Sequence, residues 1–338
     1  MNVFADLHQD DLYYSLYLLF ERRLGWRLFR PIGFDWWKNG FWKYNPDTRV
    51  VQQYLQIRNN DKDLGEYYEC PESKHNYSHR ALTFEQFKQM DVGIVIASVR
   101  QHEEVYDRLI REYKPGAKLI REVGNIHDIV DPNICRNIMA AAYLSEIPKN
   151  TNVVIYHQEF DLNTFCYKPP ANNNKITNLM NCVPASRDFE LWPKYKNELK
   201  EFDWKMHGIL GEDGIIGTDK GVAQAIHDST FIWHVKFGGD GFGHVIHNAF
   251  ACGRPPIVKG SYYADKIAGH LFEDGVTCID LEKGSFEENV KKIRYWANPE
   301  NYAKMSKAAY DRFCENVNFD KEFVYIKKFL ANLAPQSP

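Results

Sequence analysis

The segment GGDGFGHVIHNAFACGRPPIV, Gly238 to Val258, decides how this chain is read. Gly239, Gly241 and Gly243 carry no Cβ, so the backbone there can enter positive φ and approach a ligand closely. HVIHNAFAC has helical character, and Gly253 is placed to stop the helix as its C′ residue. PPIV then reads as a turn into a strand. A glycine loop that opens a helix offers unpaired N–H groups and the positive end of the helix dipole, which suits a phosphate. A plain tight turn between strand and helix has the same composition. The dinucleotide fingerprint G-x-G-x-x-G does not fit, because the spacing is wrong and the run lies deep in the second half of the chain.

Working outward, STFIWHVK is a strand that delivers the chain to the loop, with Lys236 at its end, in reach of a phosphate or simply solvated. Before it lie KITNLMNCV as a strand, PASRDFELWPKYKNELKEF as loop and helix, WKMHGIL as a strand and TDKGVAQAIHD as a helix. After it, VTCIDL is the last strand and three helices follow. The first half alternates in the same way. NVFA opens as a strand, and LYYSLYLLFERRLGW is a helix capped by Asp10 or Asp11 and stopped by Gly25. DVGIVIASV, RQHEEVYDRLIREY and KLIREV form a strand–helix–strand unit. PNICRNIMAAAYLSEI reads as a helix, TNVVIYH as a strand, and the polar residues 59–80 as a loop. Alternating strands and helices in two runs predict two α/β domains, a size that 338 residues allow.

Net charge is −3, so only a local patch could bind a polyanion. The densest candidate runs from Glu21 to Arg58, where eight Lys and Arg face three acids and Trp26, Trp36, Trp37 and Trp42 are interleaved. Basic residues alternating with aromatics suit phosphates and stacked bases. They equally suit sugar binding, or a helix and loop whose tryptophans pack inward. Seven cysteines without a C-x-x-C pair read as thiols in a reducing compartment, and no apolar run reaches the ~20 residues of a membrane span. The expected location is the cytoplasm.

The glycine stretch resembles the donor-site signature of GT-B glycosyltransferases, in which an E-G-F-G loop leads into a helix ending A-C-G-x-P-V-I. Gly241, Phe242, Gly243, Ala251, Cys252, Gly253 and Pro255 match as they stand. The retaining members carry two glutamates eight positions apart, and here Asp240 and Asn248 hold those places. HQEFDLNTFCYKPP is similar to the family's crossing between domains, with Asp161 and Phe165 in the corresponding positions. The resemblance implies an α/β GT-B fold of two doubly wound Rossmann-like domains facing across a cleft. The expected divisions are an acceptor-side domain at 1–160, a donor domain at 161–318, and a C-terminal helix at 319–338 returning to the first domain. It also implies a nucleotide-diphosphate sugar, of UDP type, as donor substrate, with no cofactor and no obligatory metal. Asp240 would position the sugar and Asn248 the ribose. Arg187, Lys194, Lys236 and His244, with the backbone of Gly239, Gly241, Phe242 and Gly243, would hold the diphosphate. Configuration would be retained.

The acceptor leaves a fainter trace. His8 follows the first strand, at the edge where open α/β sheets bind ligands, and an imidazole there could orient or deprotonate an acceptor hydroxyl as a catalytic group, while His102, just beyond a later strand at the same edge, is a candidate acceptor-binding residue. A histidine simply hydrogen-bonded in a loop reads as well. The opening ADLHQDDLYYSLYLLFERRLGW resembles glycosyltransferases carried by large phages, which implies double-stranded DNA with hydroxymethylated bases as acceptor. Arg27, Trp36 and Trp37 would contact an extruded base. Two alternatives stand beside this: transfer to a surface polysaccharide or lipid-linked glycan, and a GT-B-like protein that binds nucleic acid or sugar without turnover.

Overall fold

Apolar runs bounded by turn residues become the strands of two separate sheets. The computed structural model describes residues 1–7, 9–31, 66–70, 74–75, 77–98, 100–124, 130–169, 173–181, 183–236, 238 and 241–333. The chain divides into two compact units, residues 1–160 with 319–338, and residues 161–318.

In the first unit the strands are β1 (Asn2–Asp6), β2 (Arg27–Pro31), β3 (Tyr68–Cys70), β4 (His79–Leu82), β5 (Ile94–Ala97), β6 (Lys118–Val123), β7 (Asn137–Ala140) and β8 (Asn152–Ile155). They lie in the order β3-β4-β2-β1-β5-β6-β7-β8, and every pair is parallel except β3 with β4. Helix α1 (Asp10–Tyr17) runs on into a π-helical turn at Leu18–Arg23, and Gly25 ends it at φ +68°. Helix α2 (Phe84–Gln89) is held by a Thr83–Gln86 capping box. Helix α3 (Arg100–Tyr113) packs Tyr106, Leu109 and Ile110 on Phe4, Val95 and Leu119 of the sheet.

In the second unit β9 (Lys175–Asn178), β10 (Asp203–Met206), β11 (Phe231–Trp233), β12 (Pro256–Val258) and β13 (Ile279–Asp280) form a wholly parallel sheet in the order β10-β9-β11-β12-β13. Its helices are α4 (Leu191–Glu198), α5 (Asp219–His227), α6 (His244–Ala251), α7 (Phe286–Ala297) and α8 (Pro299–Asn316). One face is filled by Trp192 and Tyr195 of α4, Val290 and Ile293 of α7, and Trp204 and Trp233 of the sheet. Helix α9 (Phe319–Ala331) belongs to the first unit. Its Glu322 accepts from the backbone N–H of His157 at 2.7 Å, and the backbone of its end accepts from the Asn152 amide.

Three local readings are corrected. PNICRNIMAAAYLSEI contains strand β7, not a helix. β7 is buried along its whole length between β6 and β8, and a strand covered on both faces loses the alternation that marks exposed strands. Residues 59–80 include β3, whose antiparallel pairing with β4 no local pattern announces. Helix α1 is not capped by Asp10 or Asp11, since Gln9 is its N-cap residue and both aspartates lie inside the first turn. There they meet cations instead, Asp10 with Arg30 at 3.5 Å and Asp11 with Lys74 at 2.6 Å.

Each sheet has one point where strand order reverses. From β1 the chain steps outward to β2 and later resumes on the other side at β5. From β9 it steps to β10 and resumes at β11. Open α/β sheets bind ligands outside the carboxyl ends of the strands at this point.

Candidate functional site

At the second sheet's reversal, β11 ends in Trp233 and leads through His234 to Lys236 into the glycine loop. Gly243 is the N-cap of α6 at φ 81° and ψ 64°, a left-handed conformation that strains any residue with a Cβ. The loop is anchored from below. Phe242 is buried and stacks on the ring of His247 at 4.0 Å, and His247 Nδ1 lies 3.0 Å from the Gly243 carbonyl. His244 begins the helix half-buried, its ring 4.9 Å from Phe242. Asn248 lies one position beyond His247, buried, and its Oδ1 has no hydrogen-bond partner among the described residues. Phe242 therefore pins the start of α6 from within.

The far end of α6 is fixed as firmly. Gly253 N–H donates to the Phe250 carbonyl and Arg254 N–H to that of Ala249, with Gly253 at φ +69°, which together form a Schellman stop. A Cβ on Gly253 would lie 2.6 Å from the Tyr167 ring. Arg254 is buried without an ion-pair partner among the described residues. Its guanidinium donates to the carbonyls of Cys252, Lys168 and His227 at 2.8 to 3.3 Å. The G-R-P run thus ties the end of α6 to the end of α5 and to the segment that enters the unit. Burial beside it pushes the Cys252 thiol up to about 12, so this cysteine stays a protonated packing group.

The loop after β9 supplies the other flank. Arg187 is exposed on it, just ahead of α4. Lys194 lies on α4 with its Nζ 4.1 Å above the Phe286 ring, lining a cavity of about 310 Å³ with Asp188, Lys259 and Asn289. Lys259 Nζ donates to Asp188 at 3.1 Å and so braces the Arg187 loop against the end of β12. A second brace lies under the glycine loop, where the buried His234 Nδ1 meets the Tyr263 hydroxyl and the Tyr263 ring approaches Gly243. His234, Tyr263, His247 and Arg254 were not singled out from the sequence, where only their nearness to the glycines could have flagged them.

At the first sheet's reversal, Asp6 closes β1 in register with Ala97, the last residue of β5. The Tyr106 hydroxyl donates to Asp6 Oδ2 at 2.7 Å, and His102 Nδ1 lies 3.3 Å from the same oxygen. Asp6 is fully buried and His102 and Tyr106 nearly so. Burial holds the Asp6 carboxyl above the usual carboxylate range, and His102, Tyr106 and Arg30 pull it back. The structure thus gives His102 partners that the sequence did not reveal. Arg27 is not brought to this edge. It opens β2 beside Asn2, at the amino end of the sheet, and pairs with Glu66 at 3.0 Å. His8, Trp36, Trp37, Gly239 and Asp240 lie outside the described residues.

Chemically the two edges are unlike. The second offers a helix N-terminus, backbone donors and basic side chains, the means to hold an anion and stabilise charge that builds on it. The first offers a carboxyl–imidazole pair. Among the described residues no group of three or more His, Cys, Asp or Glu could hold a metal ion, and no helix is long and apolar enough to cross a membrane.

No protein-family model matches the chain, and no curated protein matches it. Solved structures do. The chain is similar to HepE of Anabaena, solved with UDP-glucose, at 12% identity and a TM-score of 0.63 over 98% of this chain and 99% of that one. A glycosyltransferase of Rickettsia africae gives 14% identity and 0.64 over 98% and 99%. An alpha-glucosyltransferase solved with UDP and a 13-mer DNA gives 11% and 0.63 over 98% of each chain. The fold is GT-B, with two Rossmann-like domains.

Proposed function

We propose that the protein is a nucleotide-sugar-dependent glycosyltransferase that carries a sugar from a UDP-type donor to a hydroxyl acceptor. The observation that carries this reading is the left-handed Gly243 opening α6 at the reversal point of a wholly parallel sheet, with Arg187 on the neighbouring loop. Structures of the same fold that hold UDP or UDP-glucose support it. The diphosphate would lie against Gly241, Phe242 and Gly243, with Arg187, Lys194, Lys236 and His244 around it. Asn248, whose buried Oδ1 has an open acceptor position among the described residues, would take a ribose hydroxyl. Asp240 would hold the sugar for attack, and departure of the diphosphate would be helped by fixed N–H donors and a guanidinium. The chain would need no metal, because helix dipole and basic groups supply the positive charge.

The finer reading is retention of configuration and transfer to a hydroxymethylated base in phage DNA, in the cytoplasm. The Asp240 and Asn248 positions of the donor signature support retention. The Arg- and Trp-rich segment, and the likeness in fold to an alpha-glucosyltransferase solved with DNA, support the acceptor. The free thiols of Cys135, Cys166, Cys252, Cys278 and Cys314 suit a reducing compartment. The test is release of nucleoside diphosphate from a panel of nucleotide sugars, with and without hydroxymethylcytosine DNA and with a chelator present. Release accelerated by the modified DNA is expected. Slow release indifferent to DNA would move the acceptor to a glycan, and no release from any donor would leave a binding protein.

A further inference from the structure

Five residues after β12, Lys259 to Tyr263, touch three loops at the carboxyl edge of the second sheet. Lys259 Nζ donates to Asp188 Oδ1 at 3.1 Å. Since β11 stands between β12 and β9, this bond passes one strand and fixes the neighbour of Arg187. Gly260 and Ser261 turn the other way, toward the end of β13. Gly260 N–H donates to Asp280 Oδ1 at 2.9 Å, and the Ser261 N–H and hydroxyl both donate to Glu282 at 2.7 Å. Tyr263 closes the 3₁₀ turn Gly260–Tyr263, and its hydroxyl meets His234 Nδ1 where β11 gives way to the glycine loop. Its ring, backed by Phe272 at 4.6 Å, stands 4.0 Å from the place a Cβ on Gly243 would take. His234 and Tyr263 are each 1% exposed. A buried imidazole facing a buried phenol loses hydration that two apolar rings would not, so the pair serves to fix position more than to add cohesion.

Resting on the transferase reading, we infer that Lys259 and Tyr263 are positioning residues for the donor diphosphate. The turn they bound sets the spacing between Arg187 and the N–H groups at the start of α6. Lys259 acts through Asp188 on the loop that carries Arg187. Tyr263 acts on the other half, through His234 on the end of β11 and through its ring beneath Gly243. An anion site assembled from a guanidinium and backbone donors on separate loops binds more tightly when both are held before the ligand arrives, because the cost of ordering them then falls on folding and not on binding. The two residues therefore have separable signatures. The effect of Lys259 depends on Arg187 being present, and that of Tyr263 does not.

The experiment measures UDP affinity by calorimetry, with thermal midpoints alongside, in wild type, Lys259→Met, Tyr263→Phe, Arg187→Ala and the two double variants that combine Arg187→Ala with each of the others. Lys259→Met should weaken UDP binding about fivefold in the wild-type background, the worth of one partly buried charged contact, and by less than about twofold in the Arg187→Ala background. Tyr263→Phe, which keeps the ring and removes the hydroxyl, should weaken it about fivefold in both backgrounds. If Tyr263→Phe does not fold, the Lys259–Arg187 cycle decides alone. Equal losses from Lys259→Met in the two backgrounds would mean that its ammonium meets the ligand itself, and would overturn the positioning role. Variants that melt earlier yet bind UDP like wild type would show a merely structural turn, overturning the inference and leaving the transferase reading intact. A wild type that binds no UDP overturns both.

Discussion

At the carboxyl edge of the first sheet the chain buries a carboxylate against an imidazole and a phenol, and at the same edge of the second it opens a glycine loop onto a helix N-terminus. The sheets share a plan: parallel strands, with a reversal beside the first strand of each unit. Their furnishings differ in the sign of charge they can take up. The first edge can accept a proton, and the second can hold negative charge without one. The same kind of scaffold takes on different chemistry by changing the loops and helix starts at its strand ends.

The largest effect expected from a single change falls on the second unit. Arg254→Ala leaves the carbonyls of Cys252, Lys168 and His227 without their shared donor and opens a cavity. It should cost about 3–5 kcal/mol. Hydrogen exchange should show amides of the second sheet losing protection while those of the first keep theirs, and a uniform loss would show that the units do not differ in this way. Asp240→Ala should come next, slowing transfer by ~100-fold with UDP affinity nearly unchanged, as for a contact made in the transition state. Loss of UDP binding instead would move Asp240 from the sugar to the diphosphate. Smaller still is the contrast between two cations of the donor side. Arg187→Ala should raise the donor KM by about tenfold, the worth of a charged hydrogen bond. Lys194→Ala should change it by about twofold, because its ammonium already rests on the Phe286 ring. Equal effects would mean that Lys194 swings to the ligand.

Legibility in the sequence followed the range of the interactions concerned. Strands such as β5 and β11, set between turn residues, and the stop of α6 at Gly253 are local features and were readable. β7 was not, because burial on both faces erases its alternation, and β3 was not, because only its partner makes it a strand. Gly243 and the helix it opens were legible since the glycines and the helix are contiguous in sequence. The Asp6 cluster was hidden because Tyr106 stands 100 residues along the chain from the carboxylate it contacts. His102 was marked by its place after a strand, without its partners. Arg27 drew attention by charge, yet β2 carries it to the amino edge, a direction that charge patterning does not encode.

The proposal that the edge of the second sheet holds a donor diphosphate is tested most directly by titrating UDP into three proteins. Wild type should bind without a divalent cation. Gly243→Val, which forces a β-branched residue into left-handed backbone, should bind roughly tenfold or more weakly, from about 1–3 kcal/mol of strain. Asp6→Asn should bind like wild type. UDP affinity unmoved by Gly243→Val, or lost in Asp6→Asn, would contradict the assignment of the two edges.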